Sequence, residues 1–314
     1  MNDVRHVAVP TADDIRAAHE VVRAVLKPTP LVLSERLGVH LKLETFQPTG
    51  AFKPRGNLAA MSRIPAGELI VTSSAGNHAL GAAWAAARLG RRLRICVPGS
   101  VSPAKLAGLA RFDVEVEQVG TSFDDAEARS LELAAEGGHY LSSYNDTHLL
   151  AGASTLGAEL GELDQPLTVL CPVGGGGVIA GLCLWAREQP RVRLVGVEAA
   201  ASRAMSSAVQ AGRIVPVPVG ETIADGLAGN IEPGSITFTL AKDRVDEFVA
   251  VSDDEIREAI RFLASEHGLV AEGAGATALA AVLAQKVQID TPAVVVVTGR
   301  NIALPLLASI LDPA

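Results

Sequence analysis

The chain has 314 residues, of which 48% are hydrophobic and 20% are charged, so it can bury the core of one large domain or two smaller ones. Its net charge of −8 and its aromatic content of 4% argue against nucleic acid as a partner, which requires a basic face or aromatic stacking. A protein that acts on small molecules fits this composition better.

The cysteines and the apolar segments limit the class of protein further. Cys96, Cys171 and Cys183 lie in apolar stretches without the spacing of a metal site, so we interpret them as buried apolar side chains. The N-terminus lacks a basic and apolar signal, so we expect a cytoplasmic location. The apolar stretch 167–185 contains Pro172 and four consecutive glycines, which argue against a membrane-spanning helix.

Predicted helices and strands alternate along the chain, which is typical of an α/β protein with mostly parallel strands. In the first half we predict a helix at 11–26, a strand at 69–72, a helix at 78–89, strands at 93–97 and 114–119, and helices at 102–111 and 122–136. In the second half we predict strands at 167–173, 193–198 and 293–298, and helices ending at 188, spanning 252–268 and starting at 302.

The same pattern suggests two domains joined by short connections. We predict a large domain formed by residues 1–64 and 146–314, and a small domain of residues 65–145 inserted into it. Capping boxes mark two of the helix starts, since Thr11 precedes Asp14 and Ser252 precedes Glu255 at the required spacing.

A lysine follows a predicted turn in the run TGAFKPRG at residues 49–56. The apolar neighbours Phe52 and Pro54 would desolvate the ammonium of Lys53, lower its pKa and make the amine nucleophilic towards an aldehyde. A solvent-exposed lysine in a loop is the alternative that this motif leaves open.

Small polar residues occupy the junction between the first predicted strand and the following helix, in the run SSAGNH at residues 73–78. Free main-chain N–H groups and hydroxyls at a helix N-terminus suit an anion such as a substrate carboxylate. Simple N-capping of the helix is the alternative.

Four consecutive glycines, Gly174, Gly175, Gly176 and Gly177, follow a predicted buried strand. They allow the main chain to approach a phosphate at the positive end of a helix. No lysine follows at the spacing of a P-loop. The segment also fits a loose dinucleotide fingerprint with Glu198 as the ribose-binding acid, so an NAD site stays open here.

A hydroxyl residue ends the last predicted buried strand, where Thr298 precedes Gly299, Arg300 and Asn301. The carboxyl end of a parallel strand faces the crevice in which open α/β sheets bind ligands. Taken alone, this segment predicts only a turn with a hydroxyl in a suitable place.

In combination, the ordered motifs TGAFKPRG, SAGNHA, GGGG, EGAGA (residues 272–276) and TGRN resemble the fold-type II enzymes that depend on pyridoxal 5′-phosphate (PLP). The resemblance is greatest to the branch of threonine and serine dehydratases, or ammonia-lyases, and serine racemases. It extends from about residue 28 to residue 301 and disfavours NAD. It implies a fold like that of the tryptophan synthase β chain: two open, twisted, mostly parallel sheets flanked by helices, with the cofactor between the large PLP-binding domain and the small domain.

The resemblance assigns roles to individual residues. Lys53 would hold PLP as a Schiff base and act as the catalytic base. Residues matching the family's cofactor site are Phe52, Lys53, Asn77, Gly174, Gly175, Gly176, Gly177, Glu272 and Thr298. Residues matching its substrate-carboxylate site are Ser74, Ala75, Gly76, Asn77 and His78.

The reaction implied by the resemblance is α,β-elimination. A neutral hydroxyl at Thr298 cannot keep the pyridine nitrogen protonated as an aspartate would, which favours loss of a β-leaving group. L-Threonine or L-serine would then give a 2-oxo acid and ammonia. In the racemases a serine that acts as a second acid/base stands at the position of Ala75, so racemisation is expected to be slow or absent.

Several departures from the family pattern limit the prediction. Metal-activated relatives have an aspartate at the position of Ala204, so we expect no metal site at Glu198. Arg300 replaces a glycine, and SSYND at residues 142–146 replaces HPFDD, which leaves the side-chain preference of the substrate pocket open. The sequence stops soon after the last helix, so no regulatory domain with isoleucine feedback is expected.

Other interpretations stay open at this point. They are a dehydratase for 3-hydroxyaspartate or phenylserine, an amino acid racemase, an NAD-dependent dehydrogenase and a PLP-binding protein without catalysis. Relatives of this branch are commonly dimers or tetramers, so we expect a homo-oligomer.

Overall fold

A computed structural model describes residue 5 and residues 7–161 and 165–312. Residues 1–4, 6, 162–164 and 313–314 fall within the range predicted for the large domain but lie outside the described residues.

The helices and strands alternate as the sequence predicts. The helices are α1 (Ala12–Val25), α2 (Pro54–Arg63), α3 (Asn77–Leu89), α4 (Pro103–Leu109), α5 (Phe123–Ala135), α6 (Thr147–Ala153), α7 (Thr155–Ala158), α8 (Gly177–Ala186), α9 (Ala204–Ala211), α10 (Ile236–Arg244), α11 (Asp253–His267), α12 (Gly273–Leu283) and α13 (Leu304–Leu311). The strands are β1 (Leu31–Ser34), β2 (Val39–Leu43), β3 (Ile70–Ser73), β4 (Leu93–Val97), β5 (Glu115–Gln118), β6 (His139–Tyr140), β7 (Leu167–Pro172), β8 (Val192–Ala199), β9 (Glu247–Val251) and β10 (Ala293–Val297).

Each predicted element corresponds to an observed one whose ends differ by at most two residues. The capping boxes at Thr11 and Ser252 are present. Elements that the sequence analysis did not predict include the β1–β2 hairpin, α2 and α12, which are short or lack a clear apolar period. The predicted fold class, with two mostly parallel sheets flanked by helices, is confirmed.

The larger sheet has six strands in the order β1-β2-β10-β7-β8-β9. Only the edge strand β1 runs antiparallel to its neighbour; the pairs from β2 to β9 are parallel. Alternate residues of β10 enter different cores, because Val294 and Val296 pack on the side of α2 and α8, while Val295 and Val297 pack on the side of α11 and α12. Burial on both faces explains the continuous apolar runs of the central strands.

The smaller sheet has four parallel strands in the order β5-β4-β3-β6. Its strands lie between residues 70 and 140, inside the range predicted for the small domain, whose boundaries stay a prediction. Chain order runs outward from β3 to β5 and then returns to β6 on the other side of β3. The carboxyl ends of β3 and β6 therefore form a topological switch point, where open α/β sheets bind ligands.

The apolar stretches contain what the sequence analysis expected. Cys96, Cys171 and Cys183 are free and buried. Within the described residues, no helix combines the length and apolarity needed to cross a membrane.

A buried network of charges joins α2 to the larger sheet. The guanidinium of Arg55, which is fully buried, binds the carboxylate of Glu44 at 2.7 and 2.8 Å and that of Glu159 at 2.5 and 2.8 Å. Lys42 Nζ donates to Glu159 at 2.6 Å and to the carbonyl of Thr29 at 2.7 Å. Burial alone would raise the pKa of Glu44, but the Arg55 guanidinium holds it below its usual value.

Because the network balances two carboxylates with two cations, removing one carboxylate should leave a buried positive charge uncompensated. We expect Glu44→Gln to lower the free energy of unfolding by about 3 kcal/mol. The same change in the exposed pair of Glu258 with Arg261 should cost less than about 1 kcal/mol. Urea unfolding of both variants measures the difference, and equal losses would contradict the role given to the network.

Candidate active site

The candidate residues lie where the carboxyl edges of the two sheets meet. In the larger sheet, β2, β10 and β7 are neighbours, and the segments after them contain Lys53, Thr298 and the four glycines. In the smaller sheet, residues 74–78 follow β3 and residues 142–146 follow β6. Contacts of Lys53 and Asn77, described next, cross from one group of segments to the other.

Lys53 lies at this junction and is partly buried, not exposed in a loop. Its Nζ donates a hydrogen bond to the main-chain oxygen of Ser143 at 2.8 Å and lies 4.9 Å from the centroid of the Phe52 ring. Burial lowers the pKa of Lys53 to about 8, while the carboxylate of Glu272 opposes the shift. The amine is therefore partly unprotonated near neutral pH, as a nucleophile or base requires.

Thr298 is held beside Lys53 by main-chain contacts. The N–H of Phe52 donates to the carbonyl of Thr298 at 3.0 Å, and Ala51 forms a bridge with Gly299. Thr298 is 5% exposed, so its hydroxyl belongs to the interior of the site.

The amide of Asn77 is hydrogen-bonded through both of its ends. Nδ2 donates to Glu272 Oε1 at 2.6 Å, and Oδ1 accepts from Asn301 Nδ2 at 2.7 Å. Asn301 Nδ2 also donates to the carbonyl of Thr49 at 2.8 Å. These bonds set the orientation of the amide, and they connect the start of α3 to the end of β10.

Glu272 is the buried acid of the site. It precedes α12, and its N–H donates to the carbonyl of Gly299 at 3.1 Å. Burial raises the pKa of Glu272 to about 7, and nearby Asp225 adds to the shift, while the bond from Asn77 opposes it. Glu272 can therefore exchange a proton near neutral pH.

His78 is buried and neutral, because burial and, after it, Lys53 lower its pKa to about 3. The hydroxyl of Thr72 donates its hydrogen to the carbonyl of Leu141 at 2.7 Å, so it must accept from His78 Nε2 at 2.9 Å. The ring proton is thereby placed on Nε2. His78 Nδ1 has no hydrogen-bond partner among the described residues, and in this tautomer it is an acceptor.

Ser74, Ala75 and Gly76 line the same edge. Ser74 Oγ accepts from the N–H of Gly76 at 3.2 Å, and, apart from its chain neighbours, no described residue has an atom within 4 Å of the position that a Cβ on Gly76 would occupy. This main chain therefore faces open space, as a ligand-binding turn should. The donor role predicted for His78 towards a carboxylate requires the other tautomer, so N–H groups of this turn and Ser74 are better suited to it.

The four glycines form the turn between β7 and the ten-residue helix α8. A Cβ on Gly174 would lie 2.8 Å from Leu227 Cα, and one on Gly175 would lie 2.7 Å from the Tyr144 ring. Gly176 has a φ of +89°, which favours glycine. The turn has no room for side chains and ends at a helix N-terminus, so it fits a phosphate group.

Together, these residues fit a phosphorylated aldehyde such as PLP. The amine of Lys53 is available to bind a carbonyl carbon, and the glycine turn suits a phosphate. The amide of half-buried Asn77 and the buried hydroxyl of Thr298 can contact a polar ring. The other predicted cofactor residues belong to the same group. Phe52 contacts Lys53, and Glu272 contacts Asn77.

Glu198 and Arg300 lie outside this arrangement. Glu198 Oε1 accepts from the N–H groups of Met205 at 2.8 Å and Ser206 at 3.2 Å, so its carboxylate caps α9. The described part of the chain contains no group of three or more His, Cys, Asp or Glu side chains that could hold a metal ion. Arg300 is exposed and covers Gly50, with its Nε 3.2 Å from the position of an added Cβ.

Sequence reasoning missed three contributors to the site. Asn301 was noted only as part of a motif, although its place after a buried strand was a usable signal. Ser143 acts through its main-chain oxygen, which no residue type reveals. Thr72 decides the tautomer of His78 from within β3, where a threonine is an ordinary strand residue.

Comparison with known proteins gives the same family as the resemblance of the sequence motifs. A model of the family described as "Pyridoxal-phosphate dependent enzyme" matches residues 22–299. An L-threonine ammonia-lyase of Geobacter sulfurreducens is 38% identical over 311 residues, which cover 95% of this chain and 77% of that protein. A serine racemase of Schizosaccharomyces pombe is 32% identical over 321 residues, covering 98% of this chain and 99% of that protein.

A solved structure has the same fold. The processed form of threonine deaminase isoform 2 from Solanum lycopersicum is similar with a TM-score of 0.86 and 29% sequence identity. The match covers 98% of this chain and 90% of that chain.

The raised pKa of Glu272 predicts a pH dependence of stability. The folded chain binds this proton more tightly than the unfolded chain, so the free energy of unfolding should fall as pH rises from about 4.5 to about 7. Glu272→Gln should remove up to about 1.4 kcal/mol per pH unit of this fall. Urea unfolding of the cofactor-free protein tests it, with exposed Glu188→Gln as control; parallel curves for all three proteins would refute it.

Proposed function

Because the chain belongs to the family of pyridoxal-phosphate-dependent enzymes, we propose that it is an ammonia-lyase acting on L-threonine or L-serine. The reaction removes water from the β-hydroxy amino acid and adds water at the α-carbon, so that one 2-oxo acid and one ammonia are released. Family membership makes PLP the cofactor, and the nicotinamide alternative is therefore wrong. The observation that supports the proposal most strongly is the Lys53 amine, with its pKa near 8, between the two sheet edges.

When bound, PLP withdraws electrons from the α-carbon of the substrate and makes its proton acidic. We assign Lys53 Nζ as the attachment point of the cofactor and as the base that takes this proton. The depressed pKa of Lys53 favours both roles, because the amine needs little free energy to lose its proton near neutral pH. The carbonyl of Ser143 orients the amine.

The other residues of the site would bind and orient. The glycine turn at the N-terminus of α8 would hold the phosphate, and Asn77 and Thr298 would contact polar atoms of the ring. Ser74 and the main-chain N–H groups of residues 74–78 would hold the substrate carboxylate. Thr298 supplies a neutral hydroxyl, which favours elimination over reactions that require a protonated ring nitrogen.

A second candidate function is amino acid racemisation, because a serine racemase is 32% identical over nearly the whole chain. Racemisation needs an acid on the face of the α-carbon opposite the base. Ala75 stands next to Gly76 and Asn77 on this edge, and its methyl group cannot transfer a proton. The side chain at this position therefore favours elimination.

The remaining expectations about partners belong to the same proposal. The acidic composition supports a protein that binds no nucleic acid, and a cytoplasmic location is part of the same proposal. Exposed Leu31 and Leu33 on edge strand β1 support association of the chain with copies of itself. The division into a small domain of residues 65–145 within a large domain is proposed on the basis of the two sheets.

Replacement of Lys53 tests the central assignment. Lys53→Ala should lower ammonia release from L-threonine by at least about a thousandfold, because the base is lost. It should also abolish the PLP that borohydride fixes to the chain, as measured by peptide mass spectrometry. Exposed Lys27→Ala serves as control and should match the parent protein. Borohydride-fixed PLP in Lys53→Ala would disprove the assignment.

The stereochemical outcome tests the choice between the two functions. With L-serine as substrate, chiral chromatography should detect pyruvate and ammonia but no D-serine above background. Ala75→Ser would supply a hydroxyl where the parent chain has a methyl group, and D-serine should then become detectable. Abundant D-serine from the parent protein would favour the racemase.

A further inference from the structure

The segment that follows β6 contacts Lys53 through its main chain. Lys53 Nζ donates to the carbonyl of Ser143 at 2.8 Å, and a carbonyl oxygen is positioned by the backbone of its segment. The hydroxyl of Ser142 accepts from the N–H of Asn145 at 3.1 Å and closes a turn around this carbonyl. Whatever holds residues 142–145 in place therefore also places the acceptor of the Lys53 amine.

Asn145 ties this segment to the loop that precedes α10. The side chain is fully buried; its Nδ2 donates to Glu232 Oε1, and its Oδ1 accepts from the N–H of Ile236 at 3.1 Å. The hydroxyl of Tyr144 accepts from the N–H of Glu232 at 3.0 Å. Two adjacent side chains of the segment thus bind one residue of the loop.

The charges around Glu232 explain why residue 145 is an amide. The Glu232 carboxylate already accepts from Arg5 at 2.6 and 2.9 Å, and Arg5 also lies over the Tyr140 ring at 4.7 Å. Among the described residues, the other charged or titratable groups near this cluster are the hydroxyls of Tyr144 and Tyr140 and the carboxylate of Glu127, which accepts from the Tyr140 hydroxyl at 2.8 Å. A second carboxylate at position 145 would repel Glu232 and supply no hydrogen for its oxygen.

The same segment supports the glycine turn. A Cβ on Gly175 would lie 2.7 Å from the Tyr144 ring, and a Cβ on Gly177 would lie 3.1 Å from Tyr144 Cβ. Tyr144 therefore packs directly against the turn. Displacement of the segment would therefore disturb both the amine of Lys53 and the turn that fits a phosphate.

We infer that Asn145 and Glu232 are positioning residues: their hydrogen bond holds residues 142–145 so that the Ser143 carbonyl orients Lys53 Nζ. The inference rests on the proposed role of Lys53 as the attachment point of PLP. It does not depend on which amino acid is the substrate.

The test compares three variants of the full chain. Asn145→Asp places a carboxylate against Glu232. The double variant, Asn145→Asp with Glu232→Gln, restores one donor and one acceptor. Asn230→Asp is the control, because it adds a carboxylate to the same loop at an exposed residue. For the first readout, the cofactor is removed by dialysis and PLP is added back. The rate at which PLP attaches to Lys53 is then measured by trapping the bond with borohydride. The second is kcat and KM for L-threonine, and the third is the thermal midpoint.

At pH 8 we expect Asn145→Asp to slow PLP fixation and lower kcat by about tenfold, with KM within about twofold. The double variant should recover to within about threefold of the parent. Tyr144→Phe, which removes only the hydroxyl that binds Glu232, should slow fixation by about threefold, and it provides the test if Asn145→Asp does not fold.

Parent-like fixation in Asn145→Asp would overturn the inference, as would a double variant as slow as the single one. An equal loss in Asn230→Asp would also overturn it, and so would a change confined to the thermal midpoint. If none of the proteins releases ammonia but the fixation rates follow the expected order, the inference stands and the proposed substrate is wrong.

Discussion

A buried guanidinium holds the part of the chain on which the site depends. Arg55 lies two residues after Lys53, in the first turn of α2, and binds carboxylates that come from the end of β2 and from the residue after α7. Such a network tolerates little displacement, because an unpaired charge in the interior is costly. The network therefore fixes the start of α2 and, with it, the backbone of Lys53. In addition, the main chain of Phe52 and Ala51 is bonded to the residues that follow β10.

In the site next to this network, burial without full charge pairing sets the pKa values of the titratable groups. Burial lowers the pKa values of Lys53 and His78 and raises that of Glu272, since desolvation disfavours the charged state of acids and bases alike. The contrast with Glu44 is instructive: that carboxyl is also buried, but a bidentate guanidinium keeps it ionised. One interior thus contains a rigid charged network and, next to it, two groups, Lys53 and Glu272, that exchange protons near neutral pH, as expected of an active site.

The site joins two sheets, and its contacts differ in how visible they are in the sequence. The glycine turn and Thr298 follow strands whose apolar runs are easily recognised, whereas Lys53 follows β2, which the sequence analysis did not predict. The motifs of all three made the family resemblance specific. Asn301 and Glu272 could be located in motifs, but their bonds to Asn77 depend on how the end of β10 meets the start of α3. The tautomer of His78 depends on Thr72 and on a carbonyl of another segment, so no local pattern predicts it.

The sequence by itself determined the fold class and most element ends, because caps and apolar periods are local properties. The resemblance of its ordered motifs to a known family implied the cofactor and the residues that match its site. Only the tertiary structure decided which of these residues touch, what their pKa values become and what supports them. The Ser143 carbonyl, the pairing of Asn145 with Glu232 and the capping role of Glu198 all join residues distant in sequence or act through the main chain. Such contacts depend on how the sheets pack, and packing is set by the whole chain, not by any one segment.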